Sequence, residues 1–270
     1  MAKNLRILPL GGLGEIGKNM TVYEYGRNIV VIDCGIMFPE NDMYGIDLVL
    51  PDFDYVVKNQ DKLRGVVITH GHMDHVLALP YLLQEVEVPI YGTPLTLGIV
   101  ERILKEKNVL HRTTLNVLDM DDALHLGPFR ITPYPVAHSI PDSVGLVIDS
   151  PAGKVVHTGD YKLDETPAGG HITDLVRLRE LTGDGVLAML ADSTNADKPG
   201  RTQTEQAVRD TLDRLFAEAK GQRIIIATFS SLLARLQEIM NLAQKHGRKV
   251  ALTGRSLLSN VELARDLGYI

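Results

Sequence analysis

Val66-Val67-Ile68-Thr69-His70-Gly71-His72-Met73-Asp74-His75 is the stretch from which the rest of the chain can be read. A short apolar run, a buried strand by composition, ends in three histidines and an aspartate. Protonated imidazoles packed this densely would repel one another, and neutral ones at a strand end gain little from burial. As ligands they make sense, because neutral imidazole nitrogen and carboxylate oxygen suit Zn²⁺ or a similar borderline cation. One tight turn can aim His70 and His72 at one ion and Asp74 and His75 at another. The competing reading, a polar surface loop, leaves such a density of donors unexplained.

Two later strand ends offer further donors. His138 lies in Pro135-Val136-Ala137-His138-Ser139 and Asp160 in His157-Thr158-Gly159-Asp160, each just past a predicted strand. Alone, each would be an ordinary turn or cap residue. Beside the first motif they become candidate ligands, and the two oxygens of Asp160 suit it to bridge two metals. His157 should point away from the ligand face by strand alternation.

The sequence outside these motifs is β-rich at first. Residues 19–25 and 29–32 flank Gly26-Arg27-Asn28 as a hairpin. A helix is predicted near Pro80, tolerated in a first turn, and another over 96–107. Strands return at 129–132, 144–148 and 154–158. After Gly185 the pattern alternates: strand 186–190, helix 204–220, strand 223–227, helix 232–246, strand 249–252 and helix 256–267. Such alternation predicts a parallel α/β unit, with a domain change near Gly200, so that 1–200 and 201–270 form two domains. The chain ends where a helix exit should lead into another strand, which reads as a fragment.

Composition is that of an ordinary globular protein, 44% hydrophobic and 23% charged, with no Trp. One cysteine, Cys34, excludes an intrachain disulfide and reads as a small buried residue in a reducing compartment. No signal-like or membrane-spanning run is visible, so the expected location is cytoplasmic, with no membrane partner. The net charge of −6 is unlike the basic excess of most nucleic-acid binders. Bound divalent ions would reverse the sign of the field locally. The glycine-rich run 11–17 lacks the Lys-Ser/Thr of a phosphate-binding loop and precedes a strand, so close backbone approach to the site is the better account. His111, His125, His171 and His246 are isolated and read as surface or locally bonded residues.

His-x-His-x-Asp-His, a downstream His, and Asp in Thr-Gly-Asp together resemble the metallo-β-lactamase superfamily. The ribonuclease J family of its β-CASP branch is the closer likeness. Gly11-Gly12-Leu13-Gly14-Glu15-Ile16-Gly17-Lys18-Asn19, Ile32-Asp33-Cys34-Gly35, His138-Ser139-Ile140-Pro141-Asp142-Ser143, Asp192-Ser193-Thr194-Asn195 and Ala227-Thr228-Phe229-Ser230-Ser231 carry it. The resemblance implies an α/β chain: an αββα metallo-β-lactamase sandwich followed by the start of a parallel α/β β-CASP domain. It implies two Zn²⁺, or Mn²⁺ in their place, one held by His70, His72 and His138, the other by Asp74 and His75, with Asp160 between them. The catalytic set is then Asp74, Asp160 and Asp33, the last orienting the ligand loop from behind. A bridging hydroxide would cleave RNA, from its 5′ end or internally, and the full-length protein would be a homo-oligomer.

Some positions depart from the pattern. Met73 stands where the family carries Glu, and Leu77 where it carries Gly, a small residue that lets the ligand loop pack closely. Leu232 replaces a polar residue near the substrate phosphates. Ser230 and Ser231 either touch phosphate or cap a helix. The resemblance further implies a later return of the chain to the first domain, with the last histidine of the second metal. Two other readings therefore stand beside the ribonuclease: a catalytically impaired metal-binding domain that binds RNA or a partner, and a small-ester hydrolase with the same ligands. The segment after Gly200 argues against the latter.

Overall fold

The computed structural model describes residues 4–167, 172–183 and 185–270, so that His171 lies outside the described residues. Strands β1 (Leu5–Gly11), β2 (Met20–Tyr25) and β3 (Asn28–Ile32) form an antiparallel meander. From β3 the sheet continues in parallel through β4 (Leu63–Val67), β5 (Ile90–Gly92) and β6 (Leu115–Val117). Parallel neighbours need crossovers. Helices α1 (Asp54–Lys58), α2 (Met73–Val76), α3 (Leu79–Glu85) and α4 (Pro94–Glu106) lie within them. In the second sheet, β7 (Leu124–Leu126), β8 (Phe129–Pro135), β9 (Val144–Ser150) and β10 (Gly153–His157) are antiparallel. The chain then passes through α5 (Leu175–Thr182) and adds β11 (Ala188–Leu190) parallel to β10.

Strand alternation sorts the apolar residues into three layers of core. Val30, Ile32 and Val67 of the first sheet meet Ile131, Leu146, Ile148 and Val155 of the second. Val22, Ile29, Val31 and Val66, on the opposite face of the first sheet, pack with Leu82, Leu83, Val100 and Leu104 of α3 and α4. Val147 and Val156 face outward from the second sheet onto Leu178 and Leu181 of α5. Both sheets are thus apolar on both faces, as covered sheets must be. The result is an αββα sandwich.

After β11 come α6 (Glu205–Glu218), α7 (Leu233–Lys245) and α8 (Arg255–Asp266). Phe216, Ile239 and Leu242 bury one another between α6 and α7. Leu233 of α7 and Ala264 of α8 join the core around α4, and Arg102 of α4 donates to the Oγ of Ser259 at 2.6 Å. The strands expected at 223–227 and 249–252 are not formed: Ile225 is 88% exposed and Val250 44%. Their apolar runs are strand-like, but a strand exists only where a neighbour accepts its ladder, and among the described residues no strand lies alongside. Three short strands, β5, β6 and β7, and the amphipathic α5 went unpredicted. Among the described residues, no helix is long and apolar enough to cross a membrane.

Candidate metal centre

The ligand loop leaves β4 and reverses into α2. His72 keeps extended geometry (φ −72°, ψ 151°) as the residue before the helix, while Asp74 and His75 fall within its single turn. His70 Nε2 lies 3.1 Å from His72 Nδ1, which lies 3.0 Å from His138 Nε2. Asp160 Oδ2 is 3.8 Å from His70 Nε2 and 3.7 Å from His138 Nε2. Its other oxygen, Oδ1, is 3.4 Å from His75 Nε2, and that nitrogen is 3.7 Å from Asp74 Oδ2. Two donor sets result, His70–His72–His138–Asp160 and Asp74–His75–Asp160, and within each the donor atoms lie within 4.8 Å of one another. Such spacings fit ions about 2.0–2.2 Å from each nitrogen or oxygen. His72 Nδ1, approached by two other ring nitrogens, cannot be satisfied by protons alone. The donor chemistry therefore fits a divalent cation in each set.

Behind the donors the ring orientations are fixed. Asp33, 1% exposed, has the left-handed φ of 61°. Its Oδ1 accepts from the Thr69 amide (2.8 Å) and its Oδ2 from Thr69 Oγ1 (2.9 Å). His75 Nδ1 sits 2.8 Å from the same Oδ2, so Nδ1 carries a proton and Nε2 is the nitrogen turned to the cleft, where it would bind an ion on giving up its own proton. Thr69 Oγ1 is 3.1 Å from His70 Nδ1 and Ser139 Oγ is 3.3 Å from His72 Nε2. The His138 loop is tied down by Asp142, whose Oδ2 accepts from the Leu95 amide (2.9 Å) and the Tyr269 hydroxyl (2.7 Å).

Burial, and then the neighbouring imidazoles, push His70 well below its usual range; burial and His72 likewise bring His138 down to about 3. Both are neutral at pH 7, the form that binds metal. Burial opposes charge on His75 too, but Asp33 and Asp160 outweigh it and hold the ring well above its usual range. Burial would raise Asp160, yet the His75 hydrogen bond and the surrounding imidazoles bring it down to about 2. The sign for the metal-free protein follows. A histidine depressed by folding costs stability once the unfolded chain protonates, so His70 and His138 erode stability as pH falls below about 6.5. The raised His75 contributes fully throughout that window and adds no slope. Melting temperature in the presence of chelator is therefore expected to fall from pH 6.5 to pH 4, and His138→Gln should flatten the curve. An unchanged slope in the variant would remove His138 from this account.

An open cleft of about 730 Å³ lies beside the second set, lined by the glycine-rich run 11–17, by Asp33, Asp74, His75 and Asp160, and by the 189–195 segment. His157 also lines it, contrary to the expectation that it points away. Alternation along β10 carries Val155 and therefore His157 into the space between the sheets, where Nδ1 meets the Tyr23 hydroxyl at 3.1 Å. Asp160 lies past the strand end, where that alternation no longer governs. Asp192 is a further cleft residue that sequence reasoning did not single out, and its amide donates to Thr158 Oγ1. Asn19 and Thr69 were likewise missed, because nothing in a linear motif marks a side chain that touches the ligands from another loop.

Ser230 and Ser231 precede α7 but do not cap it: the residue before the helix is Leu232, with no side-chain cap bond. The Ser230 carbonyl accepts from Asn260 Nδ2 at 3.1 Å. Leu232 lines a small depression with His138, Ser139, Lys162 and Arg235. Leu77 closes α2 in ordinary right-handed geometry (φ −75°, ψ −9°) and packs on the core, so no small residue is required there. His246 pairs with Asp213 at 2.7 Å, and His111 and His125 are exposed. Burial pushes the Cys34 thiol up, away from reactivity.

Comparison with known proteins agrees with this geometry. The family model described as "Metallo-beta-lactamase superfamily" matches residues 13–198, and that described as "Ribonuclease J, beta-CASP domain" matches residues 221–270. The chain is 45% identical to "Ribonuclease J" of Synechocystis sp., covering 100% of this chain and 43% of that protein. It is 42% identical to "Ribonuclease J" of Thermus thermophilus, covering 99% and 48%. The chain thus spans less than half the length of these relatives. A solved structure of a protein of unknown function from Enterococcus faecalis shares the fold, with a TM-score of 0.68 at 17% identity, covering 94% of this chain and 71% of that one. With both donor sets lying inside the matched span 13–198, the chain belongs to the metallo-β-lactamase superfamily.

Proposed function

We propose that this chain carries the metal centre of a ribonuclease that hydrolyses RNA phosphodiester bonds, from a 5′ end or internally, in the cytoplasm. The observation that carries this reading is a single carboxylate, Asp160, turning one oxygen to each of two donor sets beside an open cleft. Relatives named ribonuclease J supply the substrate class. Two divalent ions, Zn²⁺ or Mn²⁺, would supply hydroxide from a bound water near neutral pH and neutralise charge on the phosphodiester.

The side chains have separate roles in this reading. His70, His72 and His138 hold one ion, Asp74 and His75 the other, and Asp160 fixes their spacing. Asp33 touches no substrate; it keeps the His75 proton on Nδ1 and so keeps Nε2 open. The cleft walls take the chain of nucleotides; Ser230 and Ser231, which do not line the cleft, are assigned to phosphate. Residues 1–200 and 201–270 are the two domains, an assignment the separate family matches support.

The test is hydrolysis of a 5′-phosphorylated, end-labelled RNA by this chain beside Asp74→Ala, with zinc or manganese supplied. Cleavage by the parent chain and a loss of about a hundredfold or more in the variant is the expected result. Leu232, apolar beside His138, favours a second reading, a domain that binds RNA and metal without cleaving. Binding of the RNA with no cleavage by either protein would decide for it.

A further inference from the structure

Asn19 follows the glycine-rich run 11–17 and meets the second donor set with side chain and backbone together. Its amide N–H donates to the Asp74 carbonyl at 3.1 Å, and its own carbonyl accepts from Gly35 at 3.0 Å. Its Nδ2 donates to the same Asp74 carbonyl (3.2 Å) and to Asp74 Oδ2 (3.4 Å), and lies 3.0 Å from His75 Nε2. The carboxamide cannot be reversed cheaply, because its oxygen would then face the Asp74 carbonyl oxygen. On its other side Gly12 closes over it: at φ 79°, a Cβ on Gly12 would stand 2.5 Å from Asn19 Oδ1. The first donor set is supported instead by Thr69 and Ser139.

We propose that Asn19 is a positioning residue dedicated to the second ion, held against Asp74 and His75 by closure of the glycine-rich loop at Gly12. It acts by donating hydrogen bonds to the ligand loop and does not itself coordinate. The inference rests on the two-ion reading above. It also explains the run 11–17, whose glycines bring backbone close enough to pin one carboxamide.

Zinc titration by calorimetry, with metal content measured after dialysis, tests it on the parent chain, Asn19→Ala, Asn19→Asp and Gly12→Ala. The parent is expected to take two ions in a tighter and a weaker step. All three variants should weaken the weaker step by about 10- to 100-fold and leave the tighter one within about twofold, which also shows that they fold. Asn19→Asp weakens it because a carboxylate donates nothing and faces that of Asp74. A tightened weaker step in Asn19→Asp would make the residue a ligand and overturn the proposal. A tightened step in Asn19→Ala would show that the carboxamide competes with the ion, and would overturn it equally. Unchanged steps in all variants, or equal loss of both steps, would also overturn it. Fewer than two ions on the parent chain would bring down the two-ion reading and this inference with it, whereas two ions with indifferent variants would bring down this inference alone.

Discussion

Asp160→Ala is expected to leave a protein that loses the second ion, holds the first more weakly and, on the ribonuclease reading proposed above, cleaves RNA at least about 10³-fold more slowly. Among the described residues, no other side chain belongs to both donor sets. Removing it takes one anionic oxygen from each, leaving three imidazoles in the first set and only Asp74 and His75 in the second. It also leaves His75 without one of the two carboxylates that hold its pKa up, although the Asp33 contact survives. Asp160→Asn separates charge from shape, since it keeps one oxygen donor and should retain the three-histidine ion while losing the other. Metal content by elemental analysis gives the answer directly. Two ions retained on Asp160→Ala would refute the bridging assignment.

Gly35→Ala should cost at least about 3 kcal/mol of stability, or about 6–12 °C in melting temperature for a chain of this size. A Cβ there would stand 1.6 Å from the Asp74 carbonyl oxygen and 2.4 Å from the His75 amide nitrogen. Both neighbours are backbone, so no rotamer change relieves the overlap. The loop cannot retreat freely either. The Cys34 amide donates to the His75 carbonyl at 2.8 Å and the Ala78 amide to the Cys34 carbonyl at 3.0 Å, so retreat breaks the stitches that place Asp74 and His75. Metal uptake at the second set should fall with stability. A variant that melts like the parent would show that the two loops are less closely packed than described.

The candidate donors were legible in the sequence because each lies at a strand end with a chemistry that packing does not explain: four in His70–His75, then His138 and Asp160. Their assembly into two sets was not legible from spacing alone. It requires β4 of one sheet and the ends of β8 and β10 of the other to open onto the same edge, a tertiary fact. The buried strands were readable where apolar runs were sharply bounded by polar or turn residues, as at Ile29–Ile32 and Val66–Ile68. Three-residue strands such as Leu115–Val117 carry too little pattern. The reverse error occurred at 223–227, where a convincing pattern lacked a neighbour to pair with. Asn19 stands inside a legible motif, yet its role was not readable, since a carboxamide announces no chemistry until its partners are known.

The candidate ligands are drawn from both halves of the sandwich: His70, His72, Asp74 and His75 follow a strand of the first sheet, and His138 and Asp160 follow strands of the second. An ion held across that seam is a rivet as well as a reagent. Each one bound to the folded chain alone would add about 2.7 kcal/mol to its stability at a free concentration a hundredfold above the dissociation constant. The persistence of the fold would then follow the availability of metal in its surroundings. In a starved compartment the chain would lose its chemistry and its resistance to unfolding together.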